Sequence, residues 1–216
     1  FHDSDLGPIP RGWEARDIGD TVDVKGGGTP STKRSEYWEG GIHPFCTPRD
    51  MSWLTSAVML DTERHLTDAG VAKISSGQLP PGTVLMSSRA PIGYLAIAET
   101  AVSVNQGIIA MVCDKMLSNH YVLRWAEQKM DTIKANANGS TFLEISKMNF
   151  RPIPVIVPRL TVLEAHARHA RELRARVVAN QRQCNSLTAL RDTLLPKLLS
   201  GELRVNDAEK FVEGVV

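Results

Sequence analysis

Apolar residues in the last quarter of the chain fall on alternating three- and four-residue steps. Leu163, Ala170, Leu173, Val177, Cys184, Leu187, Leu194 and Leu198 share one line, with Asn180 on it. This is the spacing of a coiled-coil seam. The pattern predicts a single helix from Leu160 to Leu203, roughly 50–60 Å long. A small neighbouring domain cannot cover a seam of that length, so the helix requires a partner. Thr161-Val-Leu-Glu164 fits a capping box with Thr161 as N-cap, and Pro158 ends whatever precedes it. Pro196 is expected to kink or break the helix, and Ser200-Gly201 supplies a C-terminal stop. Asn180 and Arg191 are polar seam positions, and His166 lands on the seam near its start. A buried Asn costs stability but fixes register, which is the reading taken for Asn180. The alternative is that these residues face solvent at an imperfect seam.

Residues 1–158 show shorter periods and more breakers. Leu6-Gly-Pro-Ile-Pro-Arg-Gly-Trp13 is a lead-in ending on an aromatic anchor, and Glu14 to Val24 reads as a short strand or a turn of helix. Gly26-Gly-Gly-Thr-Pro-Ser31 allows neither helix nor regular strand and is a loop. Ile42 to Cys46 is a strand ending at Pro48-Arg49-Asp50. Leu79-Pro-Pro-Gly82 is a turn feeding the buried-type strand Thr83 to Ser87. Strands Tyr94–Ala98, Ala101–Val104 and Gly107–Val112 follow, then an amphipathic helix from Asn119 to about Ala137 carrying Val122, Leu123, Ala126, Met130 and Ile133 on one face. Ile153 to Val157 is a last strand whose Pro154 places it at an edge. Short strands joined by tight turns predict an α+β fold: a curled, mostly antiparallel sheet with flanking helices, followed by the long C-terminal coiled-coil helix. The divisions are residues 1–158, 159–204 and a tail, 205–216.

The chain of 216 residues has a net charge near zero, but the charge is unevenly placed. Residues 1–158 carry 15 Lys and Arg against 17 Asp and Glu, while residues 159–204 carry 9 against 4. Composition alone therefore gives no basic face for nucleic acid. No apolar run is long enough to cross a membrane. The acidic, polar start Phe1-His-Asp-Ser-Asp5 is not a signal peptide, and the missing initiator Met suggests a fragment or processed chain. Three scattered cysteines, Cys46, Cys113 and Cys184, make neither a disulfide nor a metal framework and point to a reducing cytoplasm.

Catalytic chemistry is poorly represented. No Gly-Lys-Ser/Thr follows the glycine triplet, so turn geometry is preferred to a phosphate loop. His166 and His169 lack a third metal ligand, His43 and Cys46 are a lone pair, and Asp61-Thr-Glu63 has no Lys two residues on to complete a nuclease site. The Asn-Pro dipeptide of amino-methyltransferases and the Gly-x-Ser-x-Gly elbow are both absent. The expectation is a non-catalytic chain with no metal and no cofactor.

An ordered set of segments carries a resemblance: Gly12-Trp13-Glu14; Gly26-Gly-Gly-Thr-Pro-Ser31; Glu36-Tyr-Trp38; Ser87-Ser-Arg-Ala-Pro-Ile-Gly93; Asn105-Gln-Gly107; Asn138-Gly-Ser-Thr-Phe142 with Glu144-Ile-Ser146; and Leu190 to Leu203. Taken in this order, over about residues 4–205, they resemble the specificity subunit of type I restriction-modification systems. The junction Pro158 to Glu164 departs from that family's usual pattern. The resemblance implies a DNA target-recognition domain followed by a spacer helix that packs against a second, similar helix from another half-subunit or a homodimer mate. It implies double-stranded DNA, an adenine methyltransferase subunit and a restriction subunit as partners. A complete subunit carries two such units, so this chain reads as the second half of one or as a half-size subunit.

On this picture the residues expected at DNA are Thr29, Ser31, Lys33, Arg34 and Tyr37, then Arg49, Ser88, Arg89, Asn105 and Gln106, and finally Ser140 and Thr141. Arg holds guanine O6 and N7 bidentately, and Asn or Gln holds adenine. Plainer roles stand beside each: turn hydrogen bonding for Asn105-Gln106-Gly107, an ion pair for Arg89, a solvated pair for Lys33 and Arg34. The alternatives to DNA recognition are a protein-binding adaptor working through its coiled coil, and a subunit with its own nuclease site.

Overall fold

The strands of this chain are buried runs bounded by turns, and the turns decide how they are laid side by side. The computed structural model describes residues 1–139 and 143–203. Among them are β1 (Glu14–Asp17), β2 (Asp23–Gly26), β3 (His43–Cys46), β4 (Val58–Met59), β5 (Arg64–Leu66), β6 (Val84–Ser87), β7 (Leu95–Ala98), β8 (Ser103–Val104), β9 (Ile108–Val112) and β10 (Pro154–Val157). They form a five-stranded sheet in the order β2-β9-β6-β7-β4, a three-stranded sheet β5-β3-β8 and a two-stranded sheet β1-β10. Pairing is antiparallel except at β3–β8 and β4–β7. The mostly antiparallel α+β architecture is therefore as expected, but one curled sheet is replaced by three. The segment between Cys46 and Leu79 accounts for part of the difference, because Phe45, Leu66 and Ile74 make a small core of their own.

The inner strands β9, β6 and β7 of the five-stranded sheet bury both faces, while the edge strand β2 keeps Lys25 exposed. Val84 and Met86 of β6, Ile97 of β7, and Ile109 and Met111 of β9 enter one core. Leu85, Ala96, Ala98, Ile108 and Ala110 enter another on the opposite face. Period-two alternation thus feeds two apolar layers, which is why these strands read as continuous hydrophobic runs. Each large side chain so buried stabilises the fold by ~1.5–3 kcal/mol. One face is covered by the helix Asn119–Gln128 through Val122, Leu123, Trp125 and Ala126. Its N-cap is Ser118, whose hydroxyl accepts from Tyr121 N. The expected single helix breaks at Lys129 (φ −93°, ψ 9°) and resumes at Met130–Ala135, where Ile133 is fully buried. Tyr121 Oη donates to Ile156 O at 2.8 Å and Trp125 Nε1 donates to Pro154 O at 3.1 Å. These bonds cover carbonyls of β10, whose sheet has β1 as its other strand, so Pro154 does stand at an edge.

Pro48–Ser52, read from sequence as the end of a strand, is a helical turn. Thr47 is its N-cap in a full capping box: Asp50 N donates to Thr47 Oγ1, and Thr47 N donates to Asp50 Oδ2 at 2.9 Å. Pro at the first helical position suits the same reading.

The long helix spans Leu160–Leu199. Thr161 lies inside its first turn rather than at the N-cap, since Val162 N and Leu163 N both donate to Arg159 O. Pro196 does not break it. Pro lacks one backbone donor, a small loss this close to the helix end, and Pro196 O still accepts from Ser200 N at 2.9 Å. The stop falls at Gly201, with φ +74° and its N–H donated to Leu198 O. At forty residues the helix is ~60 Å long. No described helix is long and apolar enough to cross a membrane.

Two compact units divide inside this helix, one covering Phe1–Leu173 and the other beginning at Arg174. In the first, Leu163 joins the main core, and His166 meets Tyr121 edge to face with ring centroids 5.8 Å apart. Ala170 is half-buried, while Leu173 is 64% exposed. In the second, Val177, Asn180, Cys184 and Leu187 are exposed, Leu194 and Leu198 are partly so, and Val178 beside the seam is buried.

Leu85→Ala should lower the unfolding free energy by ~2–5 kcal/mol, because the side chain is fully buried and its removal leaves a cavity. Urea denaturation followed by tryptophan fluorescence measures it, and a change under ~1 kcal/mol would contradict the two-faced burial.

Candidate nucleic-acid interface

Three loops converge on a fourth, Asn105-Gln106-Gly107. The first is the glycine loop that leaves β2. A side-chain carbon on Gly27 would lie 1.6 Å from Val104 O, so the loop backbone rests directly on β8, and Gly28 N donates to that carbonyl at 3.1 Å. This presents Thr29, whose hydroxyl donates to Gln106 Oε1 at 2.7 Å. The second loop is Asn105-Gln106-Gly107 itself. Asn105 N donates to Cys46 O, and Asn105 Oδ1 accepts from Gly107 N at 2.9 Å. The third is the turn at Pro48, whose Cγ would lie 3.0 Å from a side-chain carbon on Gly107. The fourth is the loop after β6. Ser88 N donates to Gly107 O at 2.8 Å, and Arg89 Nε would stand 3.2 Å from the same added carbon.

Ser87 shapes that fourth loop. Its buried hydroxyl donates to Pro91 O at 2.7 Å and accepts from Gly93 N at 3.1 Å and Tyr94 N at 2.9 Å. Ser88 O accepts from Ile145 N, and Arg89 Nη1 stands 3.6 Å from Glu144 Oε2, so the segment from Leu143 is tied to the same cluster. The predicted residues Thr29, Arg49, Ser88, Arg89, Asn105 and Gln106 are therefore gathered on converging loops.

Ser31, Lys33, Arg34 and Tyr37 form a neighbouring group further along the glycine loop. Trp38 Nε1 donates to Ser31 O at 3.1 Å. The Trp38 ring meets Phe45 edge to face at 5.2 Å, and the Arg64 guanidinium lies over Trp38, 3.6 Å from the ring centroid. Arg34 Nη1 donates to Glu36 Oε1 at 3.2 Å and to Tyr37 Oη at 3.3 Å. The Glu36 hydrogen bond and the neighbouring Tyr37 raise the guanidinium's pKa above its ordinary value.

Two expectations need correction. Ser88 is 2% exposed and Tyr37 is 5% exposed, so neither side chain offers a surface to a base. Both hold other groups in place instead. Asn105 spends its carbonyl oxygen on the turn and Arg89 has an ion-pair partner, so their plainer roles are present in the structure. Thr29, Ser31, Lys33, Arg34, Arg49 and Gln106 are exposed. Ser140 and Thr141 lie outside the described residues. Sequence reasoning missed Ser87 and Pro48 as organisers of the cluster, although Thr47-Pro-Arg-Asp50 carried a visible capping signal.

Three arginines of this region are matched to carboxylates: Arg34 to Glu36, Arg49 to Glu63 at 3.6 Å, and Arg89 to Glu144. Such exposed pairs contribute ~0–1 kcal/mol each and can open for a better anion. Two of the three thiols are made unreactive by their environment: burial raises Cys46 far above its usual range and Cys113 to about 12. Among the described residues no group of three or more His, Cys, Asp or Glu could hold a metal ion. The surface is one of hydrogen-bond donors, acceptors and cations on a rigid base.

Residues 10–169 match the family described as the type I restriction modification DNA specificity domain. The chain is 36% identical over 160 residues to the type I restriction enzyme MjaIX specificity subunit of Methanocaldococcus jannaschii, covering 73% of this chain and 37% of that protein. It is 26% identical over 198 residues to the HindI specificity subunit of Haemophilus influenzae, covering 90% and 42%. The chain thus spans less than half the length of the curated relatives it matches. The HsdS subunit of Thermoanaerobacter tengcongensis has the same fold, with a TM-score of 0.59 at 21% identity over 93% of this chain and 48% of that one.

Ser87→Ala leaves two loop N–H groups and the Pro91 carbonyl without their shared partner, and should cost ~1–3 kcal/mol. Gly27→Ala should disturb the glycine loop, because the added carbon meets backbone and not a movable side chain. Thermal unfolding reads both, and a Gly27→Ala protein with unchanged stability and loop protection from proteolysis would contradict the close approach.

Proposed function

The chain belongs to the type I restriction modification DNA specificity family, and we propose that it recognises one part of a two-part sequence in double-stranded DNA without making or breaking a bond. The observation that carries this is the convergence of three loops on Asn105-Gln106-Gly107, which brings Thr29, Arg49, Arg89 and Gln106 onto one set of adjoining loops above a buried core. Arg and Gln are the side chains with the geometry to read guanine and adenine edges in a major groove, while neighbouring cations fix register on phosphates. The paired arginines account for a recognition face without basic surplus. In the free protein each keeps its carboxylate, and DNA exchanges that partner for phosphate or base. The relatives are named specificity subunits of type I restriction enzymes, and the family resemblance supplies the partners: an adenine methyltransferase subunit and a restriction subunit would act at the site this chain selects.

The long helix completes the proposal. Its exposed seam, Leu173 through Leu187, would pack against a second similar helix, from the other half of a subunit or from a second copy. Its length would then set the distance between two recognised DNA segments.

Arg34→Ala and Arg89→Ala should each weaken binding to the selected target by ~1–3 kcal/mol while leaving the thermal midpoint nearly unchanged. Fluorescence anisotropy against target and random duplexes tests this, and wild type and variants with equal affinity for both would end the proposal. Affinity should also fall steeply with salt as phosphate contacts release counterions. A flat response would favour a protein-binding adaptor instead. Leu173→Asp with Leu187→Asp should abolish assembly without unfolding the chain, since these side chains are 64% and 57% exposed. Sedimentation of a variant that still pairs would refute the seam.

A further inference from the structure

One arginine beside the recognition loops differs from the rest. Arg64 stands directly across from Phe45 in the β3–β5 ladder, so its backbone position is fixed by a core strand. Its guanidinium lies over the Trp38 ring at 3.6 Å. Trp38 is itself held by its N–H bond to Ser31 O and by its edge-to-face contact with the buried Phe45 ring. The ring is therefore a fixed platform, and it ties Arg64 to the glycine loop. Contact through the face of a guanidinium uses none of its five N–H donors, which radiate in the guanidinium plane. Arg34, Arg49 and Arg89 each meet a carboxylate. Among the described residues no carboxylate lies within ion-pair distance of Arg64, which is exposed.

We propose that Arg64 is a specificity-determining residue that reads a guanine of the recognised sequence, with Trp38 as the platform that orients its donor fork. This rests on the DNA-recognition reading above. A stacked guanidinium has already lost the rotamer freedom that a bidentate contact demands, and its donors are unspent. Those are the requirements for holding guanine O6 and N7 together. A phosphate contact needs only the charge and gains little from such orientation.

Selection from a random duplex library with the full 216-residue chain tests this, comparing wild type, Arg64→Ala and Arg64→Lys. The expected result is loss of preference for guanine at one position in both variants, with preferences elsewhere retained. Affinity for the best wild-type sequence should drop about 5- to 150-fold. Placing 7-deazaguanine at that position should weaken wild type and leave Arg64→Ala unaffected. Arg64→Lys keeps the stem and the charge, so it carries the test if Arg64→Ala loosens Trp38, and thermal unfolding reports whether either variant is folded. Uniform weakening across sequences that Lys restores would overturn the proposal in favour of a phosphate contact. An unchanged preference profile would overturn it in favour of packing alone. A wild-type chain with no sequence preference would remove the DNA-recognition reading and this inference together, whereas a wild-type preference insensitive to Arg64 would remove this inference only.

Discussion

Both faces of the five-stranded sheet are covered by apolar layers, and this burial governs where chemistry can stand. Val84, Leu85 and Met86 in β6, and Ile108 to Met111 in β9, spend every side chain on packing. None of these side chains can meet a solute. Polar and charged groups are pushed to the loops beyond the strand ends, where Ser88 and Arg89 follow β6 and Asn105 to Gly107 precede β9. Because β6 and β9 are neighbours in the sheet, those two loops emerge side by side. The loop cluster is thus a consequence of adjacency in the core. Gly107 permits the last approach, since a side chain there would press on Pro48 and Arg89 at once.

Electrostatics set a second constraint. A domain carrying slightly more acid than base cannot hold DNA by a general positive field. On the DNA-recognition reading its cations have to be placed one at a time, and Arg34, Arg49 and Arg89 beside the loop cluster each rest against a carboxylate. This arrangement would weaken adhesion to arbitrary duplex, because each of these three arginines must first part from its carboxylate. It costs little at a matching sequence, where a bidentate base contact outweighs an exposed ion pair. On the proposed reading, net neutrality would in this sense contribute to selectivity.

How far the sequence discloses all this depends on the range of each signal. The buried strands and their turns are local patterns, and β6, β7, β9 and β10 lie within a residue or so of where periodicity puts them. The cap at Thr47 was equally local but was obscured by the strand preceding it. Long-range pairings left no local mark. Thr29 meets Gln106 seventy-seven residues away, and nothing near either residue announces the other. Burial was the harder matter: Ser88 sits between two polar-looking neighbours, yet its backbone joins Gly107 to Ile145 and draws the side chain inside. Arg64 was invisible for the same reason, since its significance lies in a tryptophan twenty-six positions earlier that only the fold brings beneath it.

The long helix obeys different physics from the domain that precedes it. Leu163 and His166 are held by contacts within the first compact unit, so the start of the helix is determined by tertiary packing. Beyond Leu173 the seam residues Val177, Leu187 and their polar neighbours Asn180 and Cys184 are exposed. Helical hydrogen bonds alone give marginal stability in water, and most of a helix's stability comes from burying its apolar stripe. The free energy needed to hold this distal stretch straight therefore depends on whatever covers it. If that cover is a second helix, order in the spacer and pairing become one event, and an unpaired chain has no well-defined distance to measure. Asn180 sharpens the point: were the seam paired, an Asn at its centre would lower the stability of the pairing but penalise a slipped register most. A spacer that has to keep two recognition surfaces at a fixed separation gains more from that penalty than it loses in affinity.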